Sequence, residues 1–223
     1  MAGTSTPQKR RPWRLIIDHL STSPQCLRKL DPVRSRAMTS RILPAAPPYP
    51  ADIQAQLDRL TPPGTTTLSL FTLMANDERL FKRLLGGSLL DKGNLTLRQR
   101  EVVIGRITAL GGCEYEWGVH VALFKNKAEL TDQQVYSLVH GAADDDCWSD
   151  DLERTLIRTC DALHGSCNVP AAIWDGLSSR LSEPAILELL MLAGFYRTVT
   201  YLANATELPL EPFAARFPHR RQS

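Results

Sequence analysis

A thiol, a carboxylate, an indole and an imidazole recur at helical spacing within the segment Leu97–Lys125 (LRQREVVIGRITALGGCEYEWGVHVALFK). Cys113, Glu116, Trp117 and His120 stand at positions i, i+3, i+4 and i+7, so a helix over this stretch would present them on one face. Glutamate and histidine transfer protons in enzymes, and a thiol can act as a nucleophile. The pattern therefore indicates a polar site that performs acid–base or thiol chemistry.

A second carboxylate, Glu101, lies one predicted helix earlier in the chain. Gly111 and Gly112 separate the two helices and allow a close turn. An antiparallel hairpin with its turn at these glycines would bring Glu101 alongside His120. On the long last helix, Tyr196 could also reach such a site, although packing in the core is an alternative role for it.

The spacing of these residues resembles a known family. Glu101, Cys113 and His120 fall on the pattern E-x11-C-x2-C-x3-H of alkylhydroperoxidase-D-like proteins, within the carboxymuconolactone decarboxylase family. The resemblance covers residues 68–141 and extends more weakly to Pro212. Glu116 stands where the peroxidase branch has its second cysteine, and the stretch CEYEWGVH instead resembles a decarboxylase-like branch.

The resemblance implies an all-α, alkylhydroperoxidase-D-like helical bundle that forms trimers or hexamers and uses no cofactor or metal. It also implies the candidate site, in which Glu101, Glu116, His120 and Cys113 would be catalytic. Trp117 and Tyr196 are the candidates for substrate binding. Each has a structural alternative: Cys113 could be an inert core thiol, His120 a hydrogen-bonded structural histidine, and Trp117 a core side chain.

Three functions follow as hypotheses. The first is a cofactor-free lyase or isomerase that acts on a small organic acid or lactone by glutamate–histidine acid–base catalysis. The second is a one-cysteine thiol peroxidase, because Glu116 leaves no resolving cysteine. The third is a non-catalytic helical interaction protein, which predicts that no cavity exists beside Glu116 and His120.

Capping residues and glycines divide the rest of the chain into helices without any convincing strand alternation. Capping boxes begin at Thr96 and Thr131, and Ser182 precedes a long apolar helix that we interpret as a buried core helix. The predicted helices cover residues 51–60, 68–85, 97–110, 113–125, 132–140, 151–164, 171–180 and 183–205.

Charge and cysteine content limit the environment of the protein. Residues 1–43 hold nine Lys and Arg but two acidic residues, whereas the remainder holds 17 basic and 22 acidic residues. We predict a basic, disordered extension over 1–43, with a mitochondrial transit peptide as the alternative, and one α-helical domain over 44–223. The mildly acidic body argues against nucleic-acid binding.

Five irregularly spaced cysteines favour the reducing cytoplasm, and no segment predicts a membrane span.

Overall fold

The computed structural model describes residues 40–89 and 91–220, and within these ranges the secondary structure is entirely helical. The prediction of an all-α fold is confirmed. The helices are α1 (Ala51–Leu60), α2 (Ser69–Met74), α3 (Glu78–Gly87), α4 (Leu97–Leu110), α5 (Glu114–Phe124), α6 (Asp132–His140), α7 (Asp151–Ser166), α8 (Ala171–Ser178) and α9 (Glu183–Ala205).

The caps read from the sequence are present. Thr96 and Thr131 each form a reciprocal capping box with the glutamine three residues later, and the Ser182 hydroxyl accepts a hydrogen bond from the Ala185 amide. The single helix predicted over 68–85 is wrong, because the chain forms α2 and α3 there. Asp77 adopts an extended conformation and its carboxylate accepts the Leu80 amide, which starts a new helix instead of continuing the old one.

Helix α4 is the central element of the bundle and packs against α5, α6, α7 and α9. Every residue from Arg100 to Thr108 is buried, and Val102, Val103 and Ile104 are fully so. A helix that is enclosed on all sides cannot move without disrupting its neighbours. It is therefore a rigid support for Glu101, which it carries.

The hairpin between α4 and α5 turns at the predicted glycines. Gly112 has a φ of 63°, a left-handed conformation that costs glycine little. A Cβ atom on Gly111 would lie 2.5 Å from Thr200 Cγ2, so the absence of a side chain allows α9 to approach the turn. The two glycines thus fix both the hairpin and its contact with the last helix.

The chain after α9 folds back across α5. The Ala215 amide donates to the Gly118 carbonyl at 3.0 Å, and the Phe217 amide donates to the Glu114 carboxylate at 2.8 Å. The Phe217 ring packs on Trp117 with 5.0 Å between ring centroids. This C-terminal strap, residues 208–218, therefore packs along α5.

Helix α9 is long and apolar enough to cross a membrane by length and composition. It nevertheless packs against α4, α5 and α8, and residues such as Leu189 and Leu192 are fully enclosed. A core helix passes the same test of length and apolarity, which agrees with our interpretation of this segment. The predicted extension lies outside the described residues except for 40–43, where Ser40 and Arg41 hydrogen-bond to the Thr206 carbonyl.

Candidate active site

Two carboxylates enclose one imidazole at the centre of the bundle. His120 Nδ1 lies 2.9 Å from Glu101 Oε2, and His120 Nε2 lies 3.4 Å from Glu116 Oε1. All three side chains are buried. The predicted approach of Glu101 to His120 across the hairpin is confirmed. Because each ring nitrogen faces a carboxylate, the three residues form a continuous path for protons from Glu116 to Glu101.

The charges in this arrangement determine the protonation state of the histidine. Burial alone disfavours the imidazolium, but the adjacent charges and hydrogen bonds of Glu101 and Glu116 outweigh it and raise the pKa of His120 to about 10. At neutral pH the ring is therefore a cation held between two acids. It can donate a proton from Nε2 while Glu101 fixes its orientation through Nδ1.

We expect the ring of His120 to remain protonated at pH 8, in contrast to a free histidine with its pKa near 6.5. Chemical shifts of the ring nitrogens during an NMR titration would measure this. A raised pKa means that the native state holds the proton more tightly than the unfolded chain. The stabilisation is thus fully present below about pH 6.5 and is lost as the pH rises through about 10. The substitution Glu101→Gln should lower the pKa, and an unchanged value would contradict this electrostatic account.

A cavity of about 390 Å³ opens beside the Glu116 and His120 side chains. This volume lies within the range of small-molecule sites. The walls are mostly apolar, and the three ionisable side chains among the described lining residues are Glu116, His120 and Tyr196. The remaining walls consist of Leu60, Pro62, Gly64, Thr65, Thr66, Leu68, Leu70, Phe71, Leu84, Leu85, Ser88, Val119, Leu123, Phe124, Phe195, Val199 and Phe213.

Tyr196 reaches this cavity from α9, as the sequence suggested that it could. Its ring meets the His120 ring edge-on, with centroids 5.0 Å apart and an interplanar angle of 88°. Burial, followed by the charges of Glu116 and Glu101, keeps the pKa of Tyr196 well above its usual value. The phenol therefore keeps its proton and remains a hydrogen-bond donor.

Two predicted site residues do not line the cavity. Cys113 is the N-cap of α5 with φ −90° and ψ 80°, so its side chain does not continue the helical stripe, and it is fully buried. Burial raises the pKa of the Cys113 thiol to about 11. Trp117 is turned by one residue from Glu116, which directs it toward Phe217 and the C-terminal strap. The face that lines the cavity instead consists of Glu116, Val119, His120 and Leu123.

Sequence reasoning missed the segments that form the outer walls of the cavity. Residues 60–71 approach from the loop after α1 and from α2, and Phe213 comes from the C-terminal strap. These residues carry no catalytic signature, and their only sequence signal is apolarity beside a Pro-Pro-Gly turn. In the ranges that the structure describes, no group of three or more His, Cys, Asp or Glu side chains could hold a metal ion.

Comparison with known families identifies the segment that carries the proton path. Residues 78–151, from α3 to the start of α7, match the model of the carboxymuconolactone decarboxylase family. The match spans 74 of the 223 residues of the chain. The matched segment contains Glu101, Cys113, Glu116 and His120, whereas Tyr196 and the outer cavity walls lie beyond it. No curated protein sequence matches the chain.

Several solved structures share the fold of this chain. An uncharacterized peroxidase-related protein from Silicibacter sp. TM1040 superimposes with a TM-score of 0.69 at 16% identity, over 83% of this chain and 99% of that one. A cysteine-to-alanine variant of the debrominase Bmp8, in complex with 2,3,4-tribromopyrrole, gives 0.61 at 13% identity, over 79% and 94% of the two chains. A protein of unknown function from Agrobacterium tumefaciens, provisionally described as an antioxidant defence protein AhpD, gives 0.53 at 16% identity, over 61% and 93%. At these identities the similarity shows the fold alone.

Proposed function

We propose that this protein is a cofactor-free acid–base enzyme, a lyase or isomerase that moves protons at carbon atoms next to a carbonyl group. The observation that carries the proposal is the Glu101–His120–Glu116 path, which ends at the wall of an apolar cavity. Charged and hydrogen-bonding side chains stabilise the charge that develops in a transition state more strongly where water is excluded. The match of residues 78–151 to the carboxymuconolactone decarboxylase family model agrees with an enzymatic role.

In this proposal Glu116 and His120 are the catalytic residues. The Glu116 carboxylate accepts a proton from a carbon next to the substrate carbonyl, and the bonding electrons move onto the oxygen as an enolate. The His120 imidazolium stabilises this charge and returns a proton to a different carbon, which completes an isomerisation without any change in oxidation state. For a lyase, CO₂ leaves instead and the same enolate is protonated. Glu101 is a positioning residue that holds the imidazolium through Nδ1.

A screen of lactones, lactone acids and hydroperoxides, tested in parallel, examines the proposal. We expect proton exchange, isomerisation or decarboxylation in the carbonyl series without any added cofactor. Exchange of substrate hydrogen for deuterium in D₂O is the sensitive readout, because it detects reversible proton removal even when no net product forms. Peroxide reduction as the only activity would overturn the proposal.

A one-cysteine thiol peroxidase is the second candidate, favoured by the descriptions of the Silicibacter and Agrobacterium structures. It requires a reactive thiolate at Cys113. The burial of this thiol, its raised pKa and its absence from the cavity wall all favour the acid–base enzyme instead.

The reactivity of the thiols separates these two candidates. We expect a thiol reagent to modify the exposed Cys167 in the native protein and Cys113 only after unfolding, as measured by mass spectrometry of peptides. The substitution Cys113→Ser should retain most of the acid–base activity. Rapid labelling of Cys113, together with peroxide reduction that is lost in Cys113→Ser, would support the peroxidase.

The non-catalytic hypothesis predicts no cavity beside Glu116 and His120, and the cavity of about 390 Å³ weighs against it.

We also propose that the protein forms a homo-oligomer. Leu187, Met191 and Tyr201 form an apolar stripe along α9, and each exposes 60% or more of its surface. Light scattering would determine the number of subunits.

A further inference from the structure

The polar groups of the cavity are of two kinds, one charged and one neutral. Glu116 and His120 belong to the charged path, in which each ring nitrogen of His120 faces a glutamate side chain. No lysine or arginine is found among the described residues that line the cavity. Arg100 is buried nearby, but its Nη1 donates to the Asp91 carbonyl at 2.9 Å and it does not line the wall. The one cation on the described wall is the His120 imidazolium, and both of its ring nitrogens already face carboxylates, so a carboxylate substrate would find no unpaired cation there.

The neutral group is the Tyr196 hydroxyl, which has no hydrogen-bond partner among the described residues. Tyr196 as a whole is 2% exposed, so bulk water does not replace the missing partner of the hydroxyl. In the same ranges, the one fully enclosed side-chain nitrogen or oxygen without a partner is Trp117 Nε1. The Tyr196 hydroxyl is therefore not fully enclosed, and it has access to the cavity that its side chain lines. Buried hydrogen-bond donors are normally paired. The unpaired Tyr196 hydroxyl therefore indicates that a ligand in the cavity supplies the acceptor.

We propose that the cavity selects an uncharged, ring-sized carbonyl compound whose oxygen accepts a hydrogen bond from the Tyr196 hydroxyl. This inference rests on the isomerase form of the proposed function and names the substrate class of the same site; decarboxylation would instead require a carboxylate substrate. The phenol binds the oxygen on which negative charge develops, while Glu116 and His120 act on the adjacent carbons. Tyr196 is thus the residue that distinguishes a carbonyl compound from a hydrocarbon of the same shape. A carboxylate is disfavoured because Glu101 and Glu116 already occupy both ring nitrogens of His120.

Three naphthalene probes of similar size test this inference by binding alone. The probes are 2-acetylnaphthalene, 2-naphthoate and 2-ethylnaphthalene, measured by calorimetry or equilibrium dialysis at pH 7. We expect the ketone to bind at least about tenfold more tightly than the carboxylate, because the carboxylate loses its hydration without gaining an unpaired cation. Tighter binding of 2-naphthoate, or no binding of any probe, would overturn the proposal.

Two substitutions, with a third as the control, assign the selectivity to residues. Tyr196→Phe should weaken binding of the ketone by roughly three- to tenfold, the scale of one neutral hydrogen bond, and leave 2-ethylnaphthalene unchanged. Tyr201→Phe, on the exposed side of the same helix, should change neither. Glu116→Gln should narrow the difference between ketone and carboxylate, and circular dichroism checks that each variant is folded. Equal loss for ketone and hydrocarbon in Tyr196→Phe would mean that Tyr196 only packs, and would contradict the inference.

The binding results are independent of turnover. A preference for the ketone without proton exchange in any substrate leaves the selectivity standing and removes the proposed acid–base function. Turnover of carboxylate substrates, combined with tighter binding of 2-naphthoate than of the ketone, would support the acid–base function and remove the proposed selectivity.

Discussion

Replacement of His120 by glutamine is expected to lower kcat by about 10²- to 10⁴-fold, the usual contribution of one general acid or base. Glutamine has a similar volume and can keep a hydrogen bond to Glu101, but it cannot carry the proton. The kcat/KM of the native enzyme should fall as the pH rises through about 10, where His120 loses its proton, and this limb should be absent in His120→Gln. Steady-state kinetics on a substrate found in the screen would measure both effects.

Glu101→Gln provides the companion measurement. Because Glu101 lies 2.9 Å from His120 and acts through it, the double variant should lose less than the product of the two single losses. The control is His164→Gln, a histidine on the exposed side of α7 whose ring meets Arg197, and it should retain full activity. Fully active single variants at His120 and Glu101 would show that the pair is structural.

The second large effect is expected at Gly118, where the C-terminal strap crosses α5. A Cβ atom at this position would lie 2.2 Å from the Ala215 carbonyl oxygen, which is backbone and cannot rotate away. Gly118→Ala should therefore displace the strap and lower the free energy of unfolding by about 1–3 kcal/mol, the usual cost of overpacking. Urea unfolding would measure the loss, and faster tryptic cleavage at Arg216 would report that the strap has detached.

Gly165→Ala is the matched control, because Gly165 lies in α7 and a Cβ atom there would meet nothing within 4 Å. Alanine favours helical backbone more than glycine, so this variant should be neutral or more stable by up to about 1 kcal/mol. The strap also carries Phe213 into the cavity wall, so Gly118→Ala should weaken probe binding whereas Gly165→Ala should not. Equal free energies of unfolding for Gly118→Ala and Gly165→Ala would mean that the strap moves away from the added methyl group at no cost in stability, which would contradict this account.

Local chemistry in the sequence was sufficient to predict most helices and one essential contact. The capping boxes at Thr96 and Thr131 could be predicted because a cap depends on residues three positions apart. The contact between Glu101 and His120 could be predicted because the two residues flank a short glycine turn, and a hairpin leaves few alternatives. Where a local signal was ambiguous, as at Asp77, the sequence alone suggested one helix where two exist.

The tertiary structure decided which side chains meet in the cavity. The sequence placed Cys113, Glu116, Trp117 and His120 on one stripe, but Trp117 packs in the core against Phe217 of the strap, and Cys113 is buried at the N-cap of α5. Tyr196 and residues 60–71 reach the cavity from distant parts of the chain. The physical reason is that helix periodicity is set within one turn, whereas the walls of a cavity depend on how separate helices pack and on which donor, such as the Tyr196 hydroxyl, that packing leaves unpaired.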